Sequence, residues 1–264
     1  MDIIQISWKD IPGRDGAWYA FEASRMTEDE IARELDINYE KSSRAIVYRE
    51  FKEKHILRGE FKVNPHLPVI RTLDYGKTCC ALFSQKDSMG RLVFFHEIVY
   101  IDIENPTNTL GKAVEAYSAD LDCQGFRDFD DPAGSSDNYV NPDETSYKIV
   151  QKYGINPTHS VSGSDNKRLR NRIELVKSKL AERWEDEPVI QIHESMHYTL
   201  DALQSGYRHH EDKNTKEILD TINEQHPHED VMDCFGITMV EALTVQKLNV
   251  PRRQVQRGNR YTGY

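Results

Sequence analysis

Between Val69 and Ile101 the chain carries three apolar stretches separated by turn residues, and nothing else in the sequence restricts its fold as strongly. Val69–Leu73 is short and closes on Asp74-Tyr75-Gly76. Thr78–Gln85 closes on Lys86-Asp87-Ser88-Met89-Gly90. Arg91–Ile101 is longer and rich in Val, Phe, Ile and Tyr. Strands this close in sequence, joined by tight turns, pair as an antiparallel meander. Helices and strands then alternate. Leu110–Leu121 reads as a helix with Val114, Tyr117 and Leu121 on one face, and Gly125–Asp130 as a strand ending in Asp131-Pro132-Ala133-Gly134. Thr145–Tyr153 is a helix stopped by Gly154, and a short strand follows near 158–161. The basic helix 166–183 keeps Leu169, Ile173, Val176 and Leu180 as an apolar stripe. Pro188–Ile192 is a further strand. Met196–Tyr207 and Val231–Leu248 are helical, the second ended by Pro251.

A meander followed by crossovers predicts an α/β fold, a mixed sheet with an antiparallel three-strand meander plus parallel strands, flanked by helices. That order resembles the RNase H-like arrangement. The first 66 residues read as a lead-in: Thr27-Glu28-Asp29-Glu30 has capping-box form and opens a short helix through Leu35, and 39–65 is polar and poorly periodic. The expected layout is lead-in 1–66, main domain 67–250 and basic flexible tail 251–264, the tail holding four Arg and no acid.

The 264 residues are enough for a sizeable core. With 38% hydrophobic and 30% charged residues, and no apolar run near the ~20 residues of a spanning helix, the composition excludes a membrane-embedded chain. No apolar leader follows Met1. Cys79 and Cys80 are adjacent while Cys123 and Cys234 stand apart, so no disulfide framework and no Cys-based zinc site is expected; the thiols read as reduced, in a cytosolic setting. The net charge of −10 opposes a surface that binds nucleic acid everywhere, yet 167–183 is strongly basic while acids gather at 120–143 and 229–233.

Acids also fall where elements end. Asp74 closes the first meander strand, Asp131 closes the strand after the first crossover helix, and Asp230 and Asp233 open the last helix three residues apart. Single acids at such places are ordinary turn formers and caps. Jointly, in a topology that gathers these ends, they form an all-oxygen donor set of the kind hard divalent cations prefer.

These same residues carry a resemblance. Val69-Ile70-Arg71-Thr72-Leu73-Asp74-Tyr75-Gly76, Asp131-Pro132-Ala133-Gly134 and His228-Glu229-Asp230-Val231-Met232-Asp233-Cys234 resemble, in order, three motifs of the nuclease domain of the large terminase subunit of tailed bacteriophages. The stretch 190–207 resembles the family's strand and helix before the last motif. Trp18, Arg25-Met26-Thr27 and Glu34-Leu35-Asp36 resemble the end of the preceding ATPase domain. The resemblance implies a metal-dependent endodeoxyribonuclease that cuts concatemeric viral DNA during packaging with little sequence preference. Asp74, Asp131, Asp230 and Asp233 would hold two Mg²⁺ or Mn²⁺ ions. Double-stranded DNA, the ATPase domain, the small terminase subunit and the portal are the implied partners, in the host cell cytoplasm. Lys77, Lys167, Arg168 and Arg170 are candidates for phosphate contact. No P-loop is present: Gly76-Lys77-Thr78 imitates its end, but Arg71 stands where the first Gly belongs, and a strand follows. The expectation is therefore a separated domain or a separately encoded half, without ATPase activity of its own.

Two other readings stay open at this point. His193-Glu194-Ser195-Met196-His197 matches the H-E-x-x-H zinc-peptidase signature, with His209, His210 or Glu211 as a third ligand. It follows directly on a strand, so the five residues are expected to straddle a strand-to-helix turn. A non-catalytic DNA-packaging module with structural acids is the other.

Overall fold

The computed structural model describes residues 7–26, 31–36, 45–76, 78–87, 89–131, 145–159, 166–212, 215, 217–223 and 225–243. Helix α1 (Gly16–Ala23) opens the described chain, with the Asp15 carboxylate accepting the Ala17 and Trp18 N–H groups. The sheet is built from β1 (Ile56–Leu57), β2 (Val69–Asp74), β3 (Cys79–Lys86), β4 (Leu92–Tyr100), β5 (Phe126–Asp130), β6 (Thr158–His159) and β9 (Ile190–His193). Its spatial order is β1-β9-β4-β3-β2-β5-β6. β2, β3 and β4 form the expected antiparallel meander, and β5, β6, β9 and β1 add in parallel at its two sides. Two-stranded ribbons, β7 (Arg183–Trp184) with β8 (Glu187–Pro188) and β10 (His209–Glu211) with β11 (Ile218–Ile222), stand outside it.

Helices cover both faces, as parallel crossovers require. On one face α2 (Pro106–Ala119) and α3 (Ser146–Gln151) bury Leu110, Val114 and Val150 against Val69, Leu73, Ala81 and Phe83. On the other, α4 (Asn166–Ala181), α5 (His197–Asp201) and α6 (His228–Leu243) cover Ile70, Cys80, Leu82, Phe94 and Phe129. Phe235 of α6 stacks on Phe94 at 4.5 Å between ring centroids. The expected stripe of α4 is the one buried: Ile173, Val176 and Leu180 are in the core, with Leu169 packed against it. All four cysteines are free; Cys80 and Cys234 place their sulfurs 3.5 Å apart within this core. Among the described residues no helix is long and apolar enough to cross a membrane.

The lead-in is not separate from the main unit. Val47, Tyr48 and Phe51 are buried in the α4–α6 core, and β1 joins the sheet through Ile56↔Ile192 and Leu57↔His193. A two-residue strand is too short to display a period, and three apolar side chains among charged neighbours do not read as a face. The sheet therefore begins before position 67. Helix α2 starts at Pro106, four residues before the expected Leu110, because proline fits the first helical position, where no N–H is needed. The expected helix Met196–Tyr207 divides into α5 and a π-helical turn, Ala202–Gly206. The opening of the Thr27–Leu35 helix, the Pro132–Gly134 turn and the tail lie outside the described residues.

Candidate functional site

Strand alternation decides which acids meet. On β2, Thr72 faces α6, where its hydroxyl lies 2.6 Å from that of Thr238. Asp74, two residues on, points to the same side. On β5, Leu73↔Asp130 is the last paired position, and Phe129 packs in the α6-side core. Asp130 thus points to the opposite face, where it is fully buried and accepts the Tyr75 hydroxyl at 3.2 Å. Asp131, just past the strand and also buried, returns to the side of Phe129. Asp230 and Asp233 lie on the first turns of α6, which packs over β2, β3 and β5.

Asp74 and Asp233 sense the neighbouring carboxylates. Burial raises the Asp74 pKa well above the carboxylate range, and the charges of Asp233, Asp230 and Asp131 add to it; only the Tyr75 N–H, at 2.9 Å, opposes. Burial also raises Asp233, opposed by Arg172 and reinforced by Asp131 and Asp230. Asp230 is raised by burial and eased by His226, whose Nδ1 lies 2.7 Å from Oδ2. Among the described residues no three His, Cys, Asp or Glu side chains close around one point as a finished metal site. The donor type nonetheless fits a hard divalent cation: all ligands are oxygen, and their mutual repulsion is what such a cation would relieve.

These shifts give a pH signature. A raised carboxylate contributes stability that is fully present below its ordinary value of 3.8 and is lost as pH rises through the raised value. His55 acts in the opposite sense. It is fully buried, with Nε2 2.9 Å from the Leu180 carbonyl oxygen and Nδ1 2.8 Å from the Lys52 N–H. Burial lowers its pKa, so its contribution is present above 6.5 and lost as pH falls through the lowered value. The two effects oppose each other, so the Tm of metal-free protein is expected to pass through a maximum on the acid side of neutrality and to fall on both sides of it. Thermal melts in EDTA check this, and a Tm that climbs steadily from pH 5 to 8 contradicts it.

Three features of the site escaped sequence reasoning. Arg172 of α4 turns inward and forms an ion pair with Asp233, its side chain 3% exposed. Gly236 of α6 makes room for it: a Cβ there would meet Arg172 Cδ at 2.7 Å. His226 lies just before α6 and holds Asp230. The i,i+3 spacing of Asp233 and Gly236 was the available signal, since it pairs an acid with a gap on one helical face. Of the candidate phosphate contacts, Arg170 is exposed and paired with Asp220 of β11. Lys167 and Arg168 begin α4 with side chains outside the described set, and Lys77 is outside it as well.

The zinc reading fails on geometry. His193 ends β9 while His197 begins α5, so they share no helical face. Both His193 ring nitrogens are engaged, Nδ1 with Ser195 Oγ at 2.7 Å and Nε2 with the Gly59 carbonyl at 2.6 Å, and Glu194 accepts the Gly59 N–H at 2.9 Å. The proposed third ligands His209, His210 and Glu211 sit on β10. The turn ties β9 to the segment after β1.

No protein-family model and no curated protein sequence matches the chain. Solved structures do. The large terminase of a thermophilic bacteriophage superposes with a TM-score of 0.56 at 15% identity, over 74% of this chain and 45% of that one. The nuclease domain of the P22 large terminase gives 0.52 at 14%, over 73% and 89%. The large terminase nuclease of thermophilic phage G20c, solved with bound cobalt, gives 0.50 at 12%, over 75% and 98%. The chain thus spans about half the length of the first of these proteins and nearly all of the two nuclease domains. It has the RNase H-like fold of large terminase nuclease domains, a mixed sheet flanked by helices.

Proposed function

We propose that the chain is a metal-dependent endodeoxyribonuclease, the nuclease part of a large terminase, which cuts concatemeric viral DNA during genome packaging in the host cytoplasm. The observation that carries this reading is that acids from three separate segments lie near enough for charge to be felt: Asp233, Asp230 and Asp131 raise the proton affinity of the buried Asp74, and Asp131 and Asp230 raise that of Asp233. These four side chains would hold Mg²⁺ or Mn²⁺, two ions in the active state; when bound, such ions supply positive charge to a phosphodiester and a deprotonated water at neutral pH. The fold of the cobalt-bound G20c nuclease is consistent with use of a divalent cation.

The chain's own residues set the stage. β2 and β5 are central, paired on both sides, so Asp74 and Asp131 are carried on a rigid support. Arg172 and His226 orient the two α6 acids. Contacts to phosphates would come from Lys77, Lys167, Arg168 and Arg170. The Arg170–Asp220 pair is exposed on both sides, and such pairs contribute so little that a phosphate can displace the carboxylate. Contacts of this kind position a duplex without reading bases, so cleavage is expected to show little sequence preference. The ATPase domain, small terminase subunit and portal are the proposed partners.

One observation favours a second reading. Asp233 is already held by an arginine, which suits a packaging module whose acids are structural. Plasmid cleavage with Mn²⁺, Mg²⁺, Zn²⁺ or EDTA, comparing wild type with Asp74→Ala and Asp131→Ala, separates the two. Mn²⁺- or Mg²⁺-dependent cutting that each substitution lowers by about 100-fold or more is the expected result. Cutting that persists in both variants places the chemistry elsewhere, and no cutting by folded wild type favours the non-catalytic module.

A further inference from the structure

Arg172 belongs to the basic helix α4, yet its charge points into the protein, and its surroundings are built for it. The side chain is 3% exposed. Its aliphatic stem lies along α6 where Gly236 offers no side chain; a Cβ would meet Cδ, Cγ and Nε at 2.7, 2.9 and 2.9 Å. Nη2 is paired with Asp233, while Nη1 is buried with no hydrogen-bond partner among the described residues. A buried arginine with one unused nitrogen is costly unless nearby negative charge compensates it. Here the compensation extends past one partner, because Asp233 itself lies within the influence of Asp131 and Asp230. A surface basic residue would need neither the glycine groove nor the buried pair.

We propose that Arg172 is a positioning residue and the resident counter-cation of the acidic centre: it holds Asp233 and keeps the carboxylates together while no metal is bound, so that its charge and a divalent cation partly substitute for one another. The inference rests on the carboxylate centre proposed above. It goes beyond that reading by assigning part of the centre's charge balance to a helix from outside the carboxylate set. Its consequence is quantitative. Metal should rescue loss of the Arg172 charge, whereas a purely structural arginine would be missed equally with and without metal.

The test is thermal denaturation of wild type, Arg172→Gln and Arg172→Lys, in EDTA and in a Mn²⁺ titration. In EDTA the Gln variant is expected to melt lower than wild type by roughly 5 °C or more. Its Mn²⁺-induced rise is expected to exceed the wild-type rise by at least about 2 °C. The Lys variant keeps the charge and loses the fork, so its Mn²⁺-induced rise should match wild type even if its Tm in EDTA is lower. If Gln proves unfolded in EDTA, Mn²⁺-dependent recovery of its melting transition is the supporting result and continued unfolding at saturating Mn²⁺ overturns the proposal. Equal Mn²⁺-induced rises in wild type and Gln, or a Lys variant that follows Gln, also overturn it. A wild type with no Mn²⁺-induced rise defeats the metal centre itself, which is a different failure from equal rises.

Discussion

Replacing Asp74 by Asn should make the metal-free protein more stable and the metal-loaded protein inactive. Asp74 is held above the carboxylate range by burial and by three neighbouring acids, with a single N–H opposing them. Near neutral pH the ionised form therefore weakens the fold, and the neutral amide removes that repulsion at almost no change in volume. Relieving one of several crowded like charges is worth about 1 kcal/mol, or ~2–4 °C in Tm for a domain of this size. Under the proposed metal centre Mn²⁺ is expected to reverse the ranking, because wild type would gain the binding free energy and the variant would lack a ligand. Cleavage should fall by about 100-fold or more, since the amide offers the cation a weaker donor. Melting curves of both proteins in EDTA and in Mn²⁺ decide it. An Asn variant that melts below wild type in EDTA shows that the carboxylate serves the fold, and the repulsion argument then fails.

The meander was legible because its strands are apolar runs of ordinary length bounded by turn residues, and the candidate acids stood out because Asp74 and Asp131 fall where strands close while Asp230 and Asp233 fall in the first turns of a helix. What connects those acids was harder to see. Asp130 and Asp131 differ by one residue, yet they face opposite sides of the sheet, a distinction fixed by the register Leu73↔Asp130 and not by composition. Arg172 was hidden by its neighbours: in a helix with so many cations, a solvated face is the economical reading, and the inward turn follows only from Gly236 on a helix much later in the chain. The β10–β11 ribbon left no period because Ile218 and Leu219, adjacent and both exposed, do not alternate with burial. The zinc signature shows the reverse case. Its spacing is right in sequence, but β9 ends at His193, so the two histidines never share a helix.

Arg71→Met should be the most destabilising polar substitution in the sheet. Arg71 sits in the middle of β2, 3% exposed, on the face away from the acidic centre. Its Nε and Nη2 donate to the two Asp128 oxygens of β5 at 2.6 and 2.8 Å, and Nη1 donates to Ser118 of α2 at 2.9 Å. The guanidinium also lies 4.1 Å from the centre of the Phe126 ring. Asp128 Oδ2 takes a further bond from the Asn156 N–H at 2.8 Å, so one buried pair ties β2, β5, α2 and the chain before β6. Removing the arginine leaves a buried carboxylate uncompensated, a loss of about 3–5 kcal/mol and ~10 °C in Tm. The cost comes from the orphaned charge more than from the lost bonds, because a buried pair offsets its desolvation only while both partners are present. Arg71→Met with Asp128→Leu should therefore recover much of the loss, although the Asn156 N–H then lacks its acceptor. Under the proposed activity both variants should cleave DNA as wild type does below their melting points, since Asp74 stays on the other face. A double variant no more stable than the single one would assign the loss to packing around the arginine stem instead of to the unpaired carboxylate.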